Sequence, residues 1–178
     1  MNPKWYVITG SPSSGKTTLI NSLAKLGYQT VPEAARVLID EETKKGKTLE
    51  EIRKNEIEFQ KKVLEIKIET EKKLDKSKIT FFDRGIPDTI AYFQLYDFDA
   101  EDVIKLCKKL QYRKIFLLEK LPFEKDYARI EDDEKAHKLQ ILLRNAYEDL
   151  GYEIIDVPAI SVEKRLEIIL SSINVPFQ

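Results

Sequence analysis

Short apolar runs alternate with charged stretches of helical spacing along this chain. The runs are rich in β-branched and aromatic residues, which favours buried strands. They occupy Trp5–Thr9, Tyr28–Pro32, Ile79–Phe82, Lys114–Leu118 and Tyr152–Asp156. Because strands joined by helical crossovers pair in parallel, the alternation predicts an α/β fold with a parallel sheet and helices on both of its faces.

One helical stretch carries more apolar residues than a single buried face requires. Thr48 and Glu51 form a capping-box pattern, from which we predict a continuous helix to about Lys76. One apolar stripe comprises Leu49, Ile52, Phe59, Val63, Ile66 and Leu74, and a second, roughly 140° away, comprises Ile57, Leu64 and Ile68. A helix lying on a sheet needs one stripe. We expect the second to contact another helix of the same chain, with a homodimer contact as the alternative.

A phosphate-binding pattern stands between the first strand and the next helix. Residues 10–17 match G-x-x-x-x-G-K-[ST], whose loop N–H groups and following helix dipole favour bound phosphate. Lys16 would reach the β- and γ-phosphates, and the Thr17 hydroxyl would ligate Mg²⁺. The predicted nucleotide-binding residues are Gly10, Ser11, Pro12, Ser13, Ser14, Gly15, Lys16, Thr17 and Thr18. The pattern therefore predicts a site for ATP or GTP.

Charged residues also follow the third strand. Asp83 and Arg84 come directly after it, at the edge of a parallel sheet where ligands bind. Asp83 could hold Mg²⁺ or accept a proton from an attacking hydroxyl, and Arg84 could clamp phosphate oxygens. Alternatively, the two form a surface pair in which Asp83 caps the turn before the next helix.

Glu33 and Arg36 follow the second strand and so belong to the same sheet edge. Because they stand three residues apart, they share one face of the helix that they begin and could hold an acceptor substrate between them. The alternative is that Glu33 only complements the helix dipole and pairs with Arg36 at the surface.

A polar loop is predicted from Glu119 to Asp132, longer than a strand-to-helix joint needs. Its one arginine, Arg129, could move over a γ-phosphate and neutralise charge that develops during transfer. A solvent-exposed pair with Glu131 or Asp132 is the alternative.

The length and net charge of the chain limit how many domains it can form and which partners it can bind. The chain has 178 residues, and we expect residues 1–178 to form a single domain. The formal net charge of −1 gives no overall field for binding nucleic acid or an anionic membrane. The single cysteine, Cys107, is expected in the core, and no apolar run is long enough to span a membrane. We expect a cytoplasmic protein, either a monomer or a homodimer.

Taken together, the loop at residues 10–17, the Pro-Glu-Ala-Ala-Arg at 32–36 and the Phe-Phe-Asp-Arg-Gly at 81–85 resemble the AAA-labelled P-loop family that includes the kinase domain of the bacterial nicotinamide riboside kinase regulator. More distantly, the chain is similar to thymidylate and deoxynucleoside kinases. The resemblance implies triphosphate and Mg²⁺ at Lys16 and Thr17, a base or metal contact at Asp83, and a clamp at Arg84. The chain lacks the Asp-Glu pair of motor ATPases and the Asn-Lys-x-Asp guanine reader of switch GTPases.

These observations lead to one working hypothesis. We expect a doubly wound P-loop domain with strand order 2-3-1-4-5, acting as a kinase that passes the γ-phosphoryl group of ATP to a hydroxyl or phosphate of a small, nucleoside-like metabolite. Its predicted catalytic residues are Lys16, Asp83, Arg84 and Arg129, and Glu33 and Arg36 are predicted to bind the acceptor. The alternative is a nucleotide-dependent binding module or switch with slow hydrolysis.

Overall fold

A computed structural model describes residues 3–122 and 130–174 of the chain. Its strands are β1 (Trp5–Thr9), β2 (Gln29–Val31), β3 (Thr80–Asp83), β4 (Lys114–Leu118) and β5 (Ile154–Val157). They form one sheet in the order β2-β3-β1-β4-β5, and every neighbouring pair is parallel. This confirms the predicted fold class and strand order.

Helices cover both faces of the sheet. They are α1 (Lys16–Lys25), α2 (Ala34–Lys44), α3 (Leu49–Ile52), α4 (Glu56–Lys73), α5 (Asp88–Leu95), α6 (Glu101–Cys107), α7 (Ile130–Glu148) and α8 (Val162–Ser172). Alternate residues of β1 point to opposite faces: Ile8 packs in a cluster with α1 and α8, whereas Val7 packs on the other face with Tyr147 of α7. Cys107 is buried in a third cluster among α5, α6 and α7, as expected.

Strand register brings three chain segments to one edge of the sheet. Ile8 of β1 pairs with Asp83 of β3, and Val31 of β2 pairs with Phe82. The carboxyl ends of β1, β2 and β3 therefore meet, and the residues that follow them share that edge. Among the residues described, no helix is both long and apolar enough to cross a membrane.

The long helix predicted from Thr48 is wrong as a continuous element. The capping box at its start is present, because Glu51 N donates to Thr48 Oγ1 at 3.2 Å and Thr48 N donates to the Glu51 carboxylate at 2.8 Å. However, α3 ends at Ile52, and Asn55 caps a new helix by accepting from the N–H of Glu58 at 3.3 Å. An asparagine side chain offers the backbone an alternative to continuing a helix, so a second cap divides the stretch.

Most residues of the first apolar stripe and two of the second find partners within the chain, whereas Leu49 is exposed. Phe59 and Val63 of α4 pack on Leu38 of α2. On the other side, Leu64 and Ile68 pack against the cluster formed by α5, α6 and α7. For these two residues the expected contact with other helices of the same chain is confirmed.

The helix before β5 also begins earlier than expected. α7 starts at Ile130, inside the loop predicted to end at Asp132. Acidic residues are favourable in the first turn of a helix because they complement its dipole, so Glu131, Asp132 and Asp133 suit a helix start as well as a polar loop.

Candidate functional site

The phosphate loop follows β1 and contains two glycines, Gly10 and Gly15, whose backbone conformations a residue with a side chain could adopt only under strain. Gly10 has φ +148°, and a Cβ at this position would lie 2.7 Å from the carbonyl oxygen of Leu118. Gly15 has φ +85° and is the N-cap residue of α1. The first glycine allows the loop to pass close to β4, and the second turns it into the helix.

Lys16 curls back over this loop. Its ammonium donates to the carbonyl oxygens of Gly10 and Ser11 at 3.0 and 2.8 Å and to Ser14 Oγ at 3.1 Å. Burial, together with the positive charge of Arg84, lowers the pKa of Lys16 to about 7. A cation that is poorly solvated and close to another cation gains from an anionic ligand, so the lysine is suited to bind phosphate.

Two side chains from distant helices hold the loop in place. Gln140 of α7 accepts from Ser11 N at 2.7 Å and donates to the carbonyl oxygen of Leu118 at 3.0 Å. Arg165 of α8 donates to the carbonyl oxygen of Ser14 at 2.5 Å. Neither residue was predicted from the sequence, because a bond to a backbone atom more than a hundred positions away leaves no local pattern.

Arg84 lies beside the phosphate loop in a left-handed conformation, with φ +68°. Its Nε donates to Glu33 at 3.1 Å, its Nη1 donates to Asp88 at 3.2 Å, and its guanidinium carbon lies 5.3 Å from the centre of the Tyr92 ring. Because both Asp83 and Arg84 are buried, the alternative of a surface pair is wrong. Glu33 pairs with Arg84 rather than with Arg36.

Asp88 fixes this arginine and was also missed from the sequence. Its side chain is fully buried and accepts from Thr9 Oγ1, Gly85 N and the Tyr147 hydroxyl at 2.5, 3.0 and 2.5 Å, in addition to Arg84. The cap of the turn after β3, which we considered for Asp83, is therefore made by Asp88. An aspartate three residues after a glycine turn, at a helix start, is the signal that could have identified it.

The neighbouring Asp83 is free of such contacts. It is the last residue of β3 and only 3% exposed, yet its Oδ1 has no hydrogen-bond partner among the described residues. Burial, followed by the charge of Glu33, raises the pKa of Asp83 to about 6. For Glu33 burial acts in the same direction and is the largest single effect, but the charges of Arg84 and Lys16 and the hydrogen bond from Arg84 together outweigh it, and the pKa is lowered. The two carboxylates thus differ in basicity.

Side chains of helix α4 support the turn that follows Arg84. Lys67 donates to the carbonyl oxygen of Gly85 at 2.8 Å, and the N–H of Ile86 donates to the Tyr112 hydroxyl at 3.2 Å. That hydroxyl in turn donates to Glu71, whose pKa burial raises to about 7. Both ends of the peptide group between residues 85 and 86 are therefore held by side chains.

The remaining predicted residues are exposed or lie outside the described part of the chain. Thr17 is exposed in the first turn of α1, and Pro12, Ser13 and Thr18 are exposed around the loop. Arg36 is exposed on α2, and Arg129 lies outside the described residues. The structure thus brings Lys16, Glu33, Asp83 and Arg84 together and leaves Arg36 at the surface.

A family model described as an AAA domain matches residues 5–165. The chain belongs to this family. The resemblance seen in the sequence is therefore confirmed. No curated protein matched the chain.

Solved structures share the fold over nearly the whole chain. NadR in complex with NR has a TM-score of 0.72 at 17% identity, covering 99% of this chain and 52% of that one. Thymidylate kinase from Ehrlichia chaffeensis has a TM-score of 0.70 at 15% identity, covering 98% and 100%. Deoxyadenosine kinase from M. mycoides with bound dCTP has a TM-score of 0.64 at 19% identity, covering 96% and 98%. At such low identities the likeness establishes the fold.

Proposed function

We propose that this AAA-family protein is a small-molecule kinase, acting as one domain over residues 1–178. It would transfer the γ-phosphoryl group of ATP or GTP to a hydroxyl of a nucleoside-like acceptor. The observation that carries the proposal is the buried, unpartnered Oδ1 of Asp83 at the sheet edge beside the phosphate loop. A buried carboxylate oxygen without a donor is costly unless a ligand supplies one.

The basicity of Asp83 suits it to accept a proton from the attacking hydroxyl. A pKa of about 6 keeps the carboxylate mainly ionised at neutral pH while leaving it more basic than an ordinary aspartate. Glu33, whose pKa is lowered and whose Oε1 accepts from Arg84, is a weaker base and is better suited to orient the acceptor.

Lys16 from the phosphate loop and Arg84 from the acceptor side would absorb charge on the transferred group, and the loop N–H groups would hold the other phosphates. Magnesium fits the oxygen donors present, since the hydroxyl of Thr17 is exposed at the start of α1 and Asp83 has a free oxygen. Bound there, the ion would neutralise charge on the phosphate oxygens. Arg129 remains a candidate for the same role.

The charge balance favours a hydroxyl acceptor over a phosphate acceptor. Arg84, the arginine on the acceptor side, is already paired with Glu33 and Asp88 at 3.1 and 3.2 Å. A phosphate acceptor would have to compete with both carboxylates and would meet the charge of Asp83. A neutral hydroxyl meets none of these penalties and can donate to the free Oδ1.

The test is a panel of candidate acceptors assayed for ADP or GDP release. We expect turnover of ATP or GTP to rise at least roughly tenfold with one class of nucleoside, and less with the matching nucleoside monophosphates. The folded Lys16→Ala protein, prepared identically, controls for contaminating kinases. Phosphorylated product is identified by mass spectrometry.

The alternative of a nucleotide-dependent switch predicts the opposite pattern. A switch would hydrolyse its nucleotide slowly whatever metabolite is added, and its affinity for a protein partner would change between the triphosphate and diphosphate states. If no acceptor in a panel of nucleosides, nucleotides and related sugars stimulates release, while the protein binds ATP tightly, the kinase proposal fails.

A further inference from the structure

The phosphate loop has a support that lies far away in the sequence. Arg165 of α8 is 2% exposed, and all three of its hydrogen-bonding nitrogens donate to backbone carbonyls. Nη1 donates to Ser14 at 2.5 Å, Nε to Pro158 at 2.8 Å and Nη2 to Glu119 at 3.1 Å. These carbonyls belong to the segments that follow β1, β5 and β4, so one side chain ties together the ends of three adjacent strands.

The charge of Arg165 is not neutralised by a direct ion pair, although the charge of Glu119 acts on it. None of the carboxylates in the described residues forms an ion pair with it. Burying a guanidinium without a carboxylate is unfavourable, and carbonyl dipoles compensate it only in part. A cation maintained directly behind a phosphate loop lowers the energy of a polyphosphate bound in front of it.

The bond to Ser14 also determines which way a peptide group faces. The described chain has no cis peptide bonds, so the carbonyl of Ser14 and the N–H of Gly15 point in opposite directions. With the carbonyl directed to Arg165, the N–H of Gly15 is directed to the other side of the loop. There it has no acceptor among the described residues.

Gly15 is needed for a second reason besides its backbone conformation: it leaves room for the guanidinium of Arg165. A Cβ at this position would lie 3.2 Å from Nη1 of Arg165 and 3.4 Å from a methyl group of Leu121. The absence of a side chain lets the arginine approach the loop closely enough to bond Ser14.

From this geometry we infer that Arg165 is a positioning residue for polyphosphate binding. It holds the peptide group between Ser14 and Gly15 so that the Gly15 N–H faces the phosphates, and it supplies a buried positive charge behind the loop. The inference rests on the proposed function, because it requires that the loop bind a nucleoside triphosphate.

The chain allows this peptide group to be observed alone. Gly15 is the only glycine that follows a serine, so labelling serine with ¹³C at the carbonyl and glycine with ¹⁵N gives one peak in a carbonyl–amide correlation spectrum. That peak reports the Ser14 carbonyl and the Gly15 N–H together. In the wild-type protein, adding ATP with Mg²⁺ should move its amide coordinates as the N–H binds phosphate.

Substitutions at 165 then test the arginine. Arg165→Lys keeps the charge but cannot reach three carbonyls, so we expect the free protein's peak to move and ATP affinity to fall roughly tenfold. Arg165→Met should cost up to roughly 100-fold, in line with the loss of a charge-assisted hydrogen bond. The control is Lys164→Met, which removes the same charge from an exposed neighbour on α8 and should change neither the peak nor the affinity.

The outcomes are distinct. If folded Arg165→Lys keeps the wild-type peak position, or binds ATP within about twofold of wild type by calorimetry, the inference is wrong while the proposed function stands. If wild-type protein binds neither ATP nor GTP, both are wrong. Should Arg165→Met fail to fold, the lysine variant and the wild-type titration still decide, because an amide peak that does not respond to ATP overturns the inference.

Discussion

The two halves of the candidate site are built in different ways. The phosphate side is one contiguous loop, residues 10–18, in which backbone N–H groups are the predicted ligands and distant side chains serve as supports. The acceptor side is assembled from Glu33, Asp83 and Arg84, charged side chains at the ends of two different strands. A loop that binds through its backbone depends on its shape, whereas the acceptor side depends on the identity of each side chain.

Burial penalises charge on both sides, but in opposite senses. It lowers the pKa of Lys16 to about 7 and raises that of Asp83 to about 6. Phosphate would relieve the first penalty and a hydroxyl or metal ion the second. Substitutions in the two halves should therefore affect nucleotide binding and acceptor use separately, while the attraction between Lys16 and Asp83 couples their effects on stability.

The largest effect is expected on the phosphate side. Lys16→Ala removes the group predicted to contact the β- and γ-phosphates, so kcat/KM for ATP should fall on the order of 10³-fold. Within the part of the chain that the structure describes, its side chain bonds only to the loop, so circular dichroism should show an intact fold. A folded Lys16→Ala protein with wild-type affinity and turnover would mean that this loop binds no nucleotide.

Asp83→Asn should separate chemistry from nucleotide binding. The substitution keeps the size of the side chain and removes its basicity, so kcat should drop roughly 100-fold or more, as expected for loss of a general base. ATP affinity, measured by calorimetry, should change by less than about threefold. Parallel losses in kcat and in ATP affinity would instead assign Asp83 to ground-state or metal binding.

A smaller effect is expected at the start of α2. Once an acceptor is known, Glu33→Gln should lower kcat/KM for it by roughly 10- to 100-fold, since the variant loses the charge that holds Arg84 at 3.1 Å. ATP affinity in the absence of acceptor should stay constant. Arg36→Gln is the matched test of the other predicted residue on this helix, and its exposed position makes a smaller loss the expected result.

A structure with the acceptor bound would examine the same pair directly. If neither Glu33 nor Arg36 lies within contact distance of the acceptor, their predicted role is wrong whatever the kinetic values. If only Glu33 is in contact, the buried ion pair with Arg84 defines the acceptor side.

The contrast between the two halves also explains what could be predicted from the sequence. The central strands β1, β3 and β4 are largely buried and mostly apolar, so the sheet was visible, and the phosphate loop is visible because all its predicted ligands are consecutive. Arg165 was not, since it bonds the carbonyls of Ser14 and Glu119, which only the folded sheet brings near, whereas Asp88 had a local signal in its position three residues after Gly85 that was overlooked. Gln140 reaches the loop across 129 positions and Arg165 across 151.

The break at residues 53–55 was missed for a different reason. Both Thr48 and Asn55 are capping residues followed three positions later by a glutamate, and the apolar spacing continues across both. The two capping residues predict two helix starts, whereas the apolar spacing predicts one continuous helix. The helix is divided because the caps satisfy N–H groups that a helix start leaves free. Before the break, Ile52 at the end of α3 packs against the cluster that contains Leu38 of α2 and Phe59 of α4.

The smallest expected effect is on the free energy of unfolding, which Asp83→Asn should raise although it lowers activity. Asp83 has a pKa of about 6 in the folded protein against 3.8 for an unperturbed aspartate. The folded state therefore binds this proton more tightly, so the wild-type protein loses stability as pH rises from about 4 to about 6, and the loss is complete above that range. Asp83→Asn cannot lose that proton. Its stability relative to wild type, from urea unfolding at each pH, should rise through the same range and stay level above it.

The expected gain is about 1 kcal/mol at pH 7, below the roughly 3 kcal/mol that a shift of about two pKa units represents. Part is lost because the amide that replaces the carboxylate is itself a buried polar group without a partner among the described residues. The attraction of Lys16 already acts on the pKa of Asp83, lowering it against the larger effect of burial. The same comparison in a Lys16→Ala background removes the attraction, so the gain from Asp83→Asn should be larger there. An equal gain in both backgrounds would show that the two halves of the site do not interact, and a loss of stability in either would mean that the Asp83 carboxylate has a stabilising partner in the folded protein.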